Sequence, residues 1–135
     1  NNLEKKIRKQ DLQSYVRFLG ILRGESLVEA VNACDICLIT NPSETQSLTT
    51  LQSLSCGLPV VATNAGGPAE YIHHGETGYL IDPTNVQAFA DHLTKLLNEP
   101  DVITSFGRKA RESILRFSPE CIAAEFETVY INCSK

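Results

Sequence analysis

No apolar run in the sequence approaches the roughly 20 residues needed to span a bilayer, and the opening stretch Asn1 to Gln10 is polar and basic rather than signal-like. The chain is therefore expected to be soluble, with any membrane association left to a region outside it. A basic excess is also lacking. Twelve Lys and Arg stand against sixteen Asp and Glu, a net charge of -4, which removes the electrostatic footprint that a nucleic-acid partner demands. The five cysteines, Cys34, Cys37, Cys56, Cys121 and Cys133, are odd in number and scattered through predicted helices and strands, so they do not form a disulfide framework. That usage fits a reducing, cytoplasmic compartment. Cys34 and Cys37 make one C-x-x-C, but a zinc ribbon needs a second pair and a redox motif opens a helix. Here the pair straddles a helix end and a strand start, so these thiols are expected to be small core-facing groups. No G-x-S-x-G, Walker sequence or complete G-x-G-x-x-G occurs, which withdraws the usual support for hydrolase, P-loop and dinucleotide readings. The adjacent His73 and His74 point different ways and His92 has no ligand partner at helical spacing, so all three are expected to be solvated and no metal site is expected.

What is present suffices for one domain: 135 residues, 42% of them hydrophobic, can bury an ordinary core. Leu3 to Leu12 reads as an amphipathic helix and Tyr15 to Leu19 as a short β-favouring run stopped by Gly20. Ser26 to Ala33 reads as a helix leading into the unalternated run Ile36 to Ile39, a strand expected to be covered on both faces. A polar loop, Asn41 to Gln46, precedes a helix from about Ser47 to Cys56, closed by Gly57 where a left-handed cap is common. Leu58 to Thr63 is another buried-type strand, Ala69 to His73 a helical turn and Tyr79 to Ile81 a short strand. Thr84 is the expected N-cap of a helix reaching Leu97. Pro100 opens one further helix and Ser118-Pro119 the last, in the favoured cap and first-turn order, with Ile122, Phe126, Val129 and Tyr130 at helical spacing. Strands alternating with helices predict a Rossmann-like, mostly parallel sheet with helices on both faces, whose sites lie beyond the carboxyl ends of the strands. Such a domain opens on a strand and this chain opens on a helix, so an N-terminal portion is expected to be missing.

Two loops then hold the chemistry. Asn41-Pro-Ser-Glu-Thr-Gln-Ser-Leu-Thr-Thr-Leu-Gln52 follows a buried strand and enters a helix, leaving the N–H groups of Ser47, Leu48 and Thr49 unpaired at an end that attracts phosphate. Glu44 lies just before it, where a carboxylate can accept from sugar hydroxyls, and Gln52 is expected to face the same pocket. Equally, Glu44 can merely support the helix dipole while Gln52 lies on the surface. Spacing alone does not separate these readings. In the second loop, Thr63 to Glu70, the pair Gly66-Gly67 lets a backbone approach a ligand closely, or simply makes a turn.

In order along the chain, Val16-Arg-Phe-Leu-Gly20, Ala33-Cys-Asp35, Pro42-Ser-Glu44, Cys56-Gly-Leu-Pro-Val-Val-Ala62, Gly66-Gly-Pro-Ala-Glu70, Gly75-Glu-Thr-Gly78 and Asp82-Pro83 resemble the C-terminal domain of the retaining glycosyltransferases of family 4, enzymes of the GT-B architecture. The resemblance extends over essentially the whole chain, residues 1–135. It implies the C-terminal half of a GT-B enzyme without its first strand region. The implied partners are a nucleotide diphosphate sugar as donor substrate and an acceptor held by the missing N-terminal domain, with no metal or other cofactor. In the family's motif of Glu, seven residues, Glu, Glu44 would bind hydroxyls of the transferred sugar and position 52 the ribose. Amides of Gln46, Ser47 and Leu48, with Thr49 close by, would hold the sugar and diphosphate. The base would lie against Phe18 to Gly20, with Gly66 and Gly67 beside the donor.

Three departures accompany the resemblance. Gln52 stands for the second Glu, keeping an acceptor oxygen but losing charge. Ser47 stands where Gly is usual and is expected to crowd the turn nearest the donor. The family's pyrophosphate-binding Arg and Lys would lie upstream of Asn1. The implied activity is sugar transfer with retention by the full-length enzyme, the isolated chain being inactive. The alternatives are a non-catalytic nucleotide-sugar-binding or interaction domain and a GT-B nucleotide-sugar epimerase.

Overall fold

The computed structural model describes residues 2–133; Asn1, at one end of the 1–135 span, and Ser134 and Lys135, at the other, lie outside them. Three parallel strands form one sheet in the order β1 (Cys37–Ile39), β2 (Val60–Thr63), β3 (Gly78–Ile81). Parallel neighbours need crossovers, and these are α3 (Leu48–Ser55) between β1 and β2 and the short α4 (Pro68–Tyr71) between β2 and β3. Ahead of β1 come α1 (Asn2–Lys9) and α2 (Glu25–Asn32). After β3 come α5 (Val86–Asn98), α6 (Pro100–Ile114), a 3-10 turn at Leu115–Phe117, and α7 (Pro119–Cys133).

β2 is buried at every position, and its side chains divide the core in two. Val60 and Ala62 pack with Ile39, Leu54, Ile72, Ala110 and Ile114; Val61 packs with Tyr79, Ile81, Phe89, Leu96 and Phe106. Alternation along one strand sends neighbours to opposite faces, so the sheet carries helices on both sides, as the sequence predicts. β1 differs from expectation. Leu38 is 48% exposed because β1 is an edge strand with cover on one face only. Tyr15 to Leu19 is not a strand: the segment is irregular and exposed, since none of its backbone groups joins the β1-β2-β3 ladder.

Local chemistry explains the remaining boundaries. Gly57 follows α3 at φ 75°, the left-handed position foreseen for it. The cap of α5 is Asn85 rather than Thr84: Asn85 Oδ1 accepts from Ala88 N at 3.0 Å. Thr84 instead donates both its N–H (2.8 Å) and its hydroxyl (2.5 Å) to Asp82 Oδ1, and these two bonds hold the Asp82 carboxyl below its usual range. Ser118 caps α7 through Cys121 N at 3.3 Å. The expectation of solvated histidines fails for His92, which is half-buried with its ring 4.3 Å from that of Tyr79, while His74 Nδ1 accepts from Leu80 N at 3.1 Å. Of the C-x-x-C thiols only Cys37 reaches the core; Cys34 is exposed and donates to Ala30 O, because the turn ending α2 faces water.

Candidate functional site

The carboxyl ends of β1 and β2 lead into the two loops that the sequence singles out, and one buried hydroxyl ties them together. Thr63, the last residue of β2, donates from Oγ1 to the backbone carbonyl of Asn41 at 2.8 Å. Asn41 then organises its own loop. Its Oδ1 accepts from Ser43 N at 3.1 Å, an Asx turn across Pro42, and its Nδ2 donates to Glu44 Oε2 at 3.0 Å. Glu44 is half-buried, and its second carboxylate oxygen has no partner among the described residues.

The glycine pair serves this loop directly. Gly67 N donates to Glu44 O at 2.8 Å. A Cβ on Gly66, whose φ is 59°, would sit 2.0 Å from Glu44 O, and one on Gly67 would sit 2.7 Å from Ser47 N. The close backbone approach of this pair is thus made to residues 44–47.

At the start of α3, Ser47 is 1% exposed and turns its side chain inward. Its Oγ accepts from Thr50 Oγ1 at 2.7 Å and from Thr50 N at 3.4 Å. With φ at -80° it occupies a conformation open to any L-residue, and its hydroxyl points into the helix cap. Of the three N–H groups expected to be unpaired, Leu48 N donates to Gln46 O at 2.9 Å, because the chain tightens into a turn before the helix begins. Ser47 N and Thr49 N have no acceptor among the described residues, and the side chains of Gln46, Leu48 and Thr49 are exposed.

Three of the sequence-derived residues, Gln52, Phe18 and Gly20, are not hydrogen-bonded to Glu44 or to the glycine pair. Gln52 lines a groove between α2 and α3 with Leu27, Val28, Val31, Leu51 and Cys56, a lining to which Glu44 does not belong. Phe18 lines a depression against α1 with Glu4, Ile7, Arg8 and Val16. No hydrogen bond among the described residues joins Phe18 or Gly20 to the two loops. The residues that sequence reasoning missed are Asn41, Thr63 and Thr50. Asn before Pro-Ser is a turn signal that was legible; a threonine ending a buried strand has no local mark.

Charge at the site is one-sided. No Lys or Arg occurs between Arg23 and Lys95, so both loops present the Glu44 carboxylate and backbone dipoles without a neighbouring cation from that stretch. Among the described residues no group of three or more His, Cys, Asp or Glu side chains could hold a metal ion, and no helix is long and apolar enough to cross a membrane.

Comparison with known proteins agrees on one family. The family described as Glycosyl transferases group 1 matches residues 1–113. The N-acetyl-alpha-D-glucosaminyl L-malate synthase of Bacillus anthracis is 31% identical over 125 residues, 92% of this chain and 32% of that protein. The sucrose-phosphate synthase structure from Thermosynechococcus elongatus superposes with a TM-score of 0.91 at 26% identity, covering 98% of this chain and 33% of its own. Anabaena HepE, solved in complex with UDP-glucose, gives a TM-score of 0.83 at 25% identity over 99% of this chain and 36% of that one. The chain spans about a third of the length of these relatives.

Proposed function

Because the chain belongs to the group 1 glycosyl transferases, we propose that it is the donor-binding part of an enzyme moving a hexose from a nucleotide diphosphate sugar to an acceptor. Its fold, a parallel sheet clad by helices, is that of the C-terminal half of GT-B enzymes. The observation that carries the proposal is the Glu44 carboxylate. It is held at the mouth of β1 with one oxygen engaged and one open, directly before the start of α3. An ionised carboxylate with an open oxygen is a strong acceptor for a sugar hydroxyl. The N-terminal end of α3 carries partial positive charge that favours the diphosphate leaving group, where negative charge grows as the glycosidic bond breaks. The complex of HepE with UDP-glucose supports a nucleotide sugar as the ligand class.

The family 4 likeness adds retention at the anomeric carbon and a donor-orienting role for Glu44. Thr49 N–H, with the Gln46 to Leu48 turn, faces the phosphates, while Gly66 and Gly67 act by fixing that turn. Gln52 reaches the ribose, and Phe18 to Gly20 the base. No Lys or Arg that could neutralise the pyrophosphate occurs in residues 24–94, and the chain spans about a third of its relatives' length, so we expect the isolated chain to transfer no sugar. The enzyme works without a metal or other cofactor in a reducing, cytoplasmic setting. The missing cations also define the second reading: a full-length protein without an Arg and Lys pair facing these loops would be a binding module.

Steady-state kinetics of the full-length enzyme test the assignment. Glu44→Ala removes charged hydrogen bonds to the reacting sugar and should lower turnover as well as donor affinity. Gln52→Ala removes a neutral bond contributing about 0.5 to 1.5 kcal/mol, so the donor Michaelis constant should rise roughly tenfold or less with turnover kept. Near-normal turnover in a folded Glu44→Ala variant would reduce Glu44 to a helix-start carboxylate and end the proposal.

A further inference from the structure

We infer that Asn41 is a positioning residue for the transfer reaction, holding the Glu44 carboxylate so that one oxygen is presented to the donor sugar; the inference rests on the proposed donor-site reading. Asn41 is fixed at three points. Its backbone carbonyl receives the hydroxyl of Thr63, which is fully buried at the end of the central strand. Its Oδ1 receives the backbone N–H of Ser43 at 3.1 Å. Its Nδ2 faces Glu44 Oε2 at 3.0 Å. A backbone N–H can only donate and a carboxylate can only accept. The two ends of the amide are therefore assigned by their partners rather than by choice of flip, and the amide cannot turn over without losing both bonds.

On the other side of Glu44, its backbone carbonyl receives Gly67 N–H at 2.8 Å. The residue is thus tied at the main chain by one loop and at the side chain by the other. An unrestrained glutamate must give up rotamer freedom each time it meets a ligand. With Oε2 held, that ordering is done before the donor arrives, and the oxygen left without a protein partner is the one a hydroxyl can reach. Asn41 itself need touch no reacting atom, so its effect should run entirely through Glu44.

The experiment has two arms. In the first, the side-chain amide protons of Asn41 are observed by NMR in this chain. They should shift on Glu44→Ala, and an unchanged pair of signals would remove the contact. In the second, the full-length enzyme is assayed with UDP-glucose, UDP-N-acetylglucosamine and GDP-mannose, and the variants are compared on the donor that the parent uses best. Asn41→Ala should lower kcat roughly tenfold to a hundredfold, the scale of a charge-assisted hydrogen bond. In the Glu44→Ala background the same substitution should change kcat by less than about twofold, since residues acting as one unit are not additive. Asn41→Asp keeps the acceptor for Ser43 N–H but sets two carboxylates face to face. Its activity relative to the parent should recover as pH falls, when one proton shared between them remakes the donor. A merely structural role predicts none of this coupling. Equal losses from Asn41→Ala in the parent and Glu44→Ala backgrounds, or an Asn41→Asp profile parallel to the parent's, overturn the inference. Full activity of Glu44→Ala would instead sink the donor-site reading beneath it.

Discussion

Gly107 sits in the middle of α6, where alanine would ordinarily gain about 0.5 to 1 kcal/mol of helix stability. Its Cβ would lie 2.1 Å from the carbonyl oxygen of Gly57, however, and backbone cannot step aside as a flexible side chain can. Overpacking of this kind costs about 1 to 3 kcal/mol, so Gly107→Ala should lower the denaturant midpoint despite the better propensity; a raised midpoint would refute the contact. Thiol reactivity is also decided residue by residue. Burial pushes the Cys37 thiol up, with a bond to Ser53 pulling it partly back and the neighbouring Cys34 adding to the rise. A raised thiol holds less thiolate at a given pH, and the thiolate is the nucleophile. In the folded chain at pH 8, iodoacetamide should therefore label exposed Cys34, Cys121 and Cys133 before Cys37, with the Cys37 rate rising only at higher pH. Peptide mapping against time would expose an inverted order.

Among elements, helix starts show how far local sequence carries. Ser118-Pro119 and the Gly57 cap were legible because cap residues act within three or four positions of themselves. The cap falls on Asn85 rather than on the expected Thr84 because both are cap formers and the choice depends on Asp82, whose carboxylate claims the threonine first. Asn85→Ala should accordingly cost about 1 kcal/mol, the usual value of an N-cap, and Thr84→Ala clearly less. Urea denaturation of the two variants separates them, and equal losses would restore Thr84 as the cap. The start of α3 follows the same logic with a functional consequence. The Ser47 hydroxyl is spent on Thr50 and Leu48 N–H on Gln46 O, which leaves the N–H groups of Ser47 and Thr49 without an acceptor among the described residues.

At the scale of the molecule, stability rests on β2 and on the helices packed to either side of it, and α7 adds little to that core. None of its residues is buried, and Phe126, Val129, Tyr130 and Ile131 all stand exposed. Phe126→Ser should therefore change the stability of this chain by no more than about 0.5 kcal/mol. Leu96→Ala, which empties a fully buried position, should cost about 2 to 5 kcal/mol. Thermal melts of both variants make the comparison, and a Phe126→Ser loss comparable to that of Leu96→Ala would show that α7 packs into the core.

What the sequence determined by itself was the alternation of parallel strands with helices, most caps, and the two loops that frame the candidate site. Periodicity, glycine and proline act over a few residues, and a strand buried on both faces leaves an unbroken apolar run such as Val60 to Ala62. Only the tertiary structure decided that Leu38 lies on an open edge and that Gly66 and Gly67 are demanded by the backbone of residues 44–47. It alone brought Thr63 onto Asn41 across 22 positions of sequence. Contacts of that range are fixed by how strand ends meet in space, and no local pattern encodes them.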